Sequence, residues 1–188
     1  GVAMTFSLGK LLARGESRGA LLAKSAKRAA ILFALGLVLH SYPWIGYDWS
    51  QLRIPGVLQR IALAFLGASI IVLWAGTRGR VIAIVSLLLG YWAVMSWVPV
   101  PGVGPGVLQP GQDLGAYVDR AVFGTAHLWE SSRTWGPEGL LTTLPAVASV
   151  LLRAGLTRLL VDAGEEVVAT VADRGALLEA VDPQRPHL

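Results

Sequence analysis

The sequence predicts an all-α, polytopic transmembrane helix bundle. Three observations carry that prediction. The chain of 188 residues is 54% hydrophobic and only 15% charged, where average soluble domains carry roughly 25% charge. Its apolar residues fall in runs of about the 20 residues that a membrane-spanning helix needs. Those runs alternate between ends rich in Lys and Arg and ends rich in Trp and Tyr, as basic cytoplasmic loops and interfacial aromatic belts do. The expectation is about four spans plus the end of an earlier helix.

Composition also excludes function classes. There is no cysteine, so neither a disulfide framework nor a thiolate metal site is available, and no metal site is expected. The net charge of +4 comes largely from one basic stretch beside a span, so no nucleic-acid footprint is read from it. The first residues from Gly1, GVAMTFSLG, are too short for a span or a signal h-region. They read as the end of a helix, and the chain as a fragment.

Residues 10–28 hold Lys10, Arg14, Arg18, Lys24, Lys27 and Arg28 against Glu16. They are expected to form a cytoplasmic loop that fixes topology, with a phosphate-facing patch as the functional alternative. The first span is placed at 29–45. Its far end holds the aromatic belt Tyr42, Trp44, Tyr47 and Trp49. His40, just inside that belt, reads as a hydrogen-bonded interfacial residue. The second span is placed at 57–76, with Pro55 in its first turn. Gly36, Gly67, Ala68 and Ser69 are small residues suited to close helix approach. TRGR at 77–80 reads as a basic turn, followed by a third span at 81–98 that ends in Trp92 and Trp97.

Residues 99–137 are expected as an irregular Pro/Gly loop on the extracytoplasmic face. Within it, AYVDRAVFGTAHLW reads as a short amphipathic helix with Tyr117, Val118 and Val122 on its apolar side. The fourth span is placed at 138–152, with Glu138 favoured at a helix start and Pro145 marking a kink. From Arg153 the charge spacing shortens and no span-length run remains. The division is a membrane domain at 1–152 and a divergent tail at 153–188, which a frameshift would explain. Loops 46–56 and 99–137 then share the extracytoplasmic face, while 10–28 and 77–80 lie in the cytoplasm.

Arg53, Gln59 and Arg60 stand at the mouth of a charge-free run, Ile61 to Gly76. Ionisable groups in that position are costly unless they bind or pair. The octet RIPGVLQR at 53–60, the stretch from VPVPG through DLGAYVDR to AHLW at 98–129, PEGLLTTLP at 137–145 and the initial GVAMTFSL together resemble the heparan-alpha-glucosaminide N-acetyltransferase family. The resemblance covers about residues 1–152.

It implies an integral membrane acetyltransferase, in a bacterial-type inner membrane, with more spans than this chain holds. The enzyme takes acetyl from cytosolic acetyl-CoA and gives it to an amino sugar of the glucosamine type on the far face. The implied partners are the lipid bilayer, acetyl-CoA, the amino sugar and, for the full-length member, a second copy in a homodimer. The resemblance places the family's catalytic histidine before the helix that ends in GVAMTFSL, upstream of Gly1. This chain is therefore expected to hold no catalytic residue and to be inactive alone.

Amine acetylation needs a base or nucleophile and a donor for the oxyanion. Arg53, Gln59 and Arg60 are therefore assigned to acetyl-CoA, with the two arginines as anchors and Gln59 donating to a carbonyl. Glu138, Asp119 and His127 are assigned to the acceptor. A structural ion pair between Arg53 and Glu138 is the plainer alternative. Two other functions are weighed: a transporter-like protein for an amino sugar or its derivative, which broken helices and charged span mouths also fit, and an inactive truncated product.

Overall fold

The chain, seen in a computed structural model, is described over residues 2–43, 45–129 and 131–181, and its regular structure there is helical. The helices are α1 (Val2–Ala13), α2 (Arg18–His40), α3 (Val57–Trp74), α4 (Thr77–Trp97), α5 (Leu114–Phe123) and α6 (Thr143–Val181), with single 3-10 turns at Trp49–Gln51 and Thr125–His127. Among the described residues there is no β-strand. One isolated bridge, Val100 to Gly104, closes a turn in the Pro/Gly loop. The all-α bundle expected from the sequence is therefore the fold. GVAMTFSLG, expected as the end of a helix, is helical from Val2 onward. Gly1 itself lies outside the described residues, and so does the expectation of a catalytic histidine ahead of it.

Among the described residues, three helices are long and apolar enough to cross a membrane: Val57–Trp74, Thr77–Trp97 and Thr143–Glu166. At 1.5 Å per residue the 18 residues of α3 rise about 27 Å, close to the hydrocarbon thickness. The expected span at 29–45 is shorter than its run. Its helix stops at His40, where the Ser41 N–H closes onto the Leu37 carbonyl. The rest of α2 is the basic stretch. Residues 10–28, expected as a loop, are mostly helix, because Ala, Leu, Lys and Arg are strong helix formers. Only 14–17 remain as a turn, and Ser17 caps α2 by accepting from the Ala20 N–H at 3.3 Å.

Two further boundaries move for local reasons. Pro55 stands just before the α3 cap, Gly56, rather than inside the first turn. TRGR is the first turn of α4, not a loop. Arg80 reaches back to donate to the Ala75 and Val72 carbonyls, both at 3.0 Å, and so satisfies the end of α3.

The fourth span also shifts. Residues 137–142 form a turn, and α6 starts at Thr143. Pro145 therefore lies in the first turn, where a missing N–H has no acceptor to lose, and the expected kink has no cause. α6 continues through the tail to Val181. Between Gly155 and Glu166 the helix buries little, and Leu156, Leu159 and Leu160 are exposed. The end of the tail, 182–188, and the belt residue Trp44 lie outside the described residues.

The helices lie side by side in the order α2, α3, α6, α4, with α1 against α6. Their core joins Met4, Leu8, Leu21, Ala64, Ala68, Leu73, Val147, Leu151 and Ala154. The small residues do what was expected of them. Gly67 faces Val147 so closely that a Cβ would sit 3.1 Å from its methyl group. Ser69 is fully buried and donates to the Phe65 carbonyl at 2.8 Å. No residue of α4 is buried.

Helix alternation brings the described residues of 41–56 and 98–142 to one end of the bundle, the mouth. The turns 14–17 and 75–76 lie at the other end, called the basic end. The aromatic pairs Tyr47–Trp49, Trp92–Trp97 and Trp129–Trp135 all lie at the mouth, each edge-to-face with centroids 5.5–5.7 Å apart.

Candidate functional site at the bundle mouth

The sequence separates RIPGVLQR from PEGLLTTLP by about 80 residues. At the mouth the two meet. The Arg53 Nη2 lies 2.6 Å from the Glu138 carboxylate, and both side chains are mostly buried, at 23% and 14% exposure. Arg53 also donates through Nε to the Pro55 carbonyl at 2.8 Å, which helps orient the guanidinium toward Glu138. Arg60 donates to the Pro137 carbonyl at 3.3 Å and to the Thr142 carbonyl at 3.1 Å. These carbonyls bracket the turn that carries Glu138. One arginine therefore holds the carboxylate and the other holds its backbone.

Asp119 supports the same turn from behind. It is only 1% exposed and accepts from the Leu140 N–H at 2.8 Å. A Cβ on Gly139 would run into its carboxylate, so the turn approaches Asp119 as closely as glycine allows. Burial pushes the Asp119 carboxyl above the ordinary carboxylate range, and Asp113 adds to this. The Leu140 hydrogen bond and Arg120 pull the other way. The apolar face expected for α5 is consequently not the buried one: Val122 is exposed and Asp119 faces inward. Arg120 is drawn to the carbonyls of Gly111 (2.8 Å) and Thr134 (2.6 Å), which ties the Pro/Gly loop to the mouth.

His127 clamps the start of RIPGVLQR. Its Nδ1 lies 2.7 Å from the Leu52 carbonyl, and its own carbonyl accepts from the Ile54 N–H at 3.1 Å. A carbonyl only accepts, so Nδ1 carries the hydrogen, and a neutral ring presents Nε2 as an acceptor. Gln59 is buried at the α2–α3 crossing, 2% exposed. Its amide fills the notch left by Gly36, and a Cβ on Gly56 would meet both Gln59 Oε1 and the His40 ring. Neither Gln59 amide atom has a protein partner, nor does His40 Nδ1. The hydrogen bond expected for His40 is thus not made through Nδ1.

All six candidate residues therefore lie on, beneath or beside two segments, 52–60 and 137–142. Three cavities flank them: one of about 470 Å³ along α3 and α6, which Arg60 and Glu138 also line, and two that meet at the ion pair. The first of these two, of about 430 Å³, is lined by His40, Tyr47, Asp48, Arg53, Trp129 and Arg133, among others. The second, of about 210 Å³, is mostly apolar, with Phe33, Leu63 and Phe123 beside Gln59, Arg60 and Glu138. Arg53 lines one cavity and Glu138 the other, so the ion pair stands at their boundary.

Asp48, Gln51 and Arg133 also stand at the mouth, and the sequence does not single them out as site residues. Asp48 accepts from Ser50 and Gln51, bonds that hold its carboxyl below the ordinary range, and Arg133 donates to Gln51 at 3.3 Å. Asp48 ahead of a short polar turn is a cap signal. Nothing in sequence spacing points to Arg133.

No protein-family model matches the chain. Two curated proteins do. The human heparan-alpha-glucosaminide N-acetyltransferase is 27% identical over 81% of this chain, and the mouse protein of the same name is 25% identical over 86% of it. The chain spans 30% and 31% of the length of these relatives. Over most of its own length, then, the chain is similar to part of a heparan-alpha-glucosaminide N-acetyltransferase, as RIPGVLQR and the motifs after it led one to expect.

Proposed function

We propose that this chain contributes the mouth of a membrane acetyltransferase, which moves acetyl from cytosolic acetyl-CoA to an amino sugar on the extracytoplasmic face. The observation that carries the reading is the Arg53–Glu138 pair, 2.6 Å apart and mostly buried, between a polar aromatic cavity and an apolar one. The basic end would face the cytoplasm, which fits the Lys and Arg of residues 10–28. The mouth would face outward, in a bacterial-type inner membrane. Residues 1–152 would form the acyltransferase part and 153–188 the divergent tail.

Acetyl-CoA supplies a thioester. The amine nitrogen forms the new C–N bond, the C–S bond breaks, and the thiol leaves with the proton. The apolar cavity suits the acyl end of the donor. Its buried Gln59 amide has no protein partner, so it can donate to the acetyl carbonyl, while Arg53 and Arg60 fix the walls. The polar cavity suits the sugar, with Trp129 and Tyr47 as apolar faces and charged groups for its hydroxyls. Glu138 would orient the amine, His127 would accept through Nε2, and Asp119 would hold the turn that aims Glu138.

The test is radiolabelled acetyl transfer from acetyl-CoA to glucosamine by the protein that carries this chain. Arg53→Glu or Arg60→Glu should lower the rate at least about tenfold, which corresponds to ~1.4 kcal/mol. Variants that insert in the membrane and keep full activity would remove these residues from the site. Glucosamine uptake without any dependence on acetyl-CoA would favour a carrier.

A further inference from the structure

The basic end of the bundle holds a cavity that the acetyl-transfer reading does not use. It has a volume of about 310 Å³ and lies among α1, α3, α4 and α6. Met4, Leu8, Leu12, Val72 and Ala154 make one side apolar, and Arg80 and Arg158 close the other. Among the described residues no carboxylate lines it. Arg158 lies about 22 Å along α6 from its start, so this cavity is at the opposite end from Glu138.

Two features of this pair point to a ligand. Both guanidiniums line this one cavity, and neither forms an ion pair with a carboxylate among the described residues. Arg80 has a structural duty, since its Nε and Nη2 cap α3. Arg158 has none: it is exposed on a helix whose neighbouring residues bury little. Two like charges at one cavity repel, and an anion bound between them replaces that repulsion with attraction. Guanidiniums match phosphate oxygens in a bidentate fork. The apolar wall beside them fits a chain attached to that phosphate.

We infer that Arg80 and Arg158 bind the phosphate of an ester whose apolar arm enters the cavity between α1, α3 and α6. The same chemistry has two sources: an anionic lipid headgroup, or a soluble phosphate ester such as coenzyme A. The coenzyme A source rests on the acetyl-transfer reading, and the lipid source does not. Neither arm of the test requires turnover, so failure here is distinct from failure of that reading.

The experiment places the chain in phosphatidylcholine nanodiscs and applies two probes. One is an equilibrium titration with coenzyme A. The other is the shift in thermal midpoint when phosphatidylglycerol replaces part of the phosphatidylcholine. Arg158→Gln is the test variant, because it leaves the α3 cap intact. Arg153→Gln, an exposed α6 position outside the cavity, is the control. Arg158→Gln should weaken coenzyme A about tenfold or abolish the phosphatidylglycerol shift, and Arg153→Gln should do neither. Loss of the coenzyme A signal assigns the site to a soluble ester, and loss of the lipid shift assigns it to a headgroup. If Arg158→Gln changes neither probe, or Arg153→Gln changes them equally, the site does not exist.

Discussion

Both ends of the bundle are rich in arginine, but they use it differently. At the mouth every arginine described is engaged. Arg53 pairs with Glu138, Arg60 and Arg120 hold carbonyls, and Arg133 holds Gln51. Most of these bonds join segments far apart in sequence. At the basic end the ion pair Lys24–Glu16 is local and largely exposed, at 54% and 31%, and among the described residues Arg158 has no ion-pair partner. Buried charge must be neutralised by tertiary structure, whereas charge at a wet surface need not be. The mouth is therefore a place where folding itself gathers the candidate residues. The basic end is not.

The largest effect that would break this contrast is charge reversal at the mouth. Arg53→Glu places two carboxylates together in a mostly buried position and should destabilise the chain by about 3 kcal/mol. Lys24→Met should change stability by less than about 0.5 kcal/mol. Unfolding midpoints in one detergent compare the two directly, and equal shifts would erase the distinction. Next in size is Gly139→Ala, whose methyl group meets the Asp119 carboxylate. Overpacking of this kind destabilises by about 1–3 kcal/mol, and a stability like the parent's would mean that the turn is looser than its geometry.

Smaller, and opposite in sign, is Gln59→Met. It removes two buried polar atoms that lack partners and should stabilise the chain by about 1 kcal/mol, while acetyl-CoA binding falls. Higher stability with unchanged binding would make Gln59 a packing residue alone.

The smallest effect concerns Asp119. Its folded pKa lies above the ordinary 3.8, so the folded chain holds this proton more tightly than the unfolded one. The stability it contributes is full below pH 3.8 and is lost as pH rises through the folded value. Asn keeps an acceptor for the Leu140 N–H and never ionises. Asp119→Asn should therefore be the more stable form at neutral pH, with the gain shrinking toward pH 3.8. A variant less stable than the parent at neutral pH would show that the carboxylate charge itself holds the turn.

The sequence made the bundle legible because charge-free runs of span length admit few readings. The run from Ile61 and the run ending at Trp97 became α3 and α4 within a few residues. Boundaries failed where a helix outlasted its apolar run: at Arg18, where basic helix formers extend α2 downward, and at Thr143, where α6 starts late and continues through the tail. At the site, RIPGVLQR and Glu138 stood out as charges at span mouths, and their pairing could be anticipated. The burial of Asp119, the reach of Arg60 to Pro137 and Thr142 and the isolation of Gln59 could not. Each depends on contacts between segments about 20 to 80 residues apart, which no local pattern encodes.

We propose that the Arg53–Glu138 pair belongs to the acetyl-transfer site and is more than a brace. The double variant Arg53→Glu with Glu138→Arg tests this, because it restores opposite charges in exchanged positions. In the protein that carries this chain, the unfolding midpoint should recover most of what Arg53→Glu loses, while acetyl transfer to glucosamine stays at least about tenfold below the parent. Recovery of both the midpoint and the full rate of transfer would show that the pair only holds the mouth together.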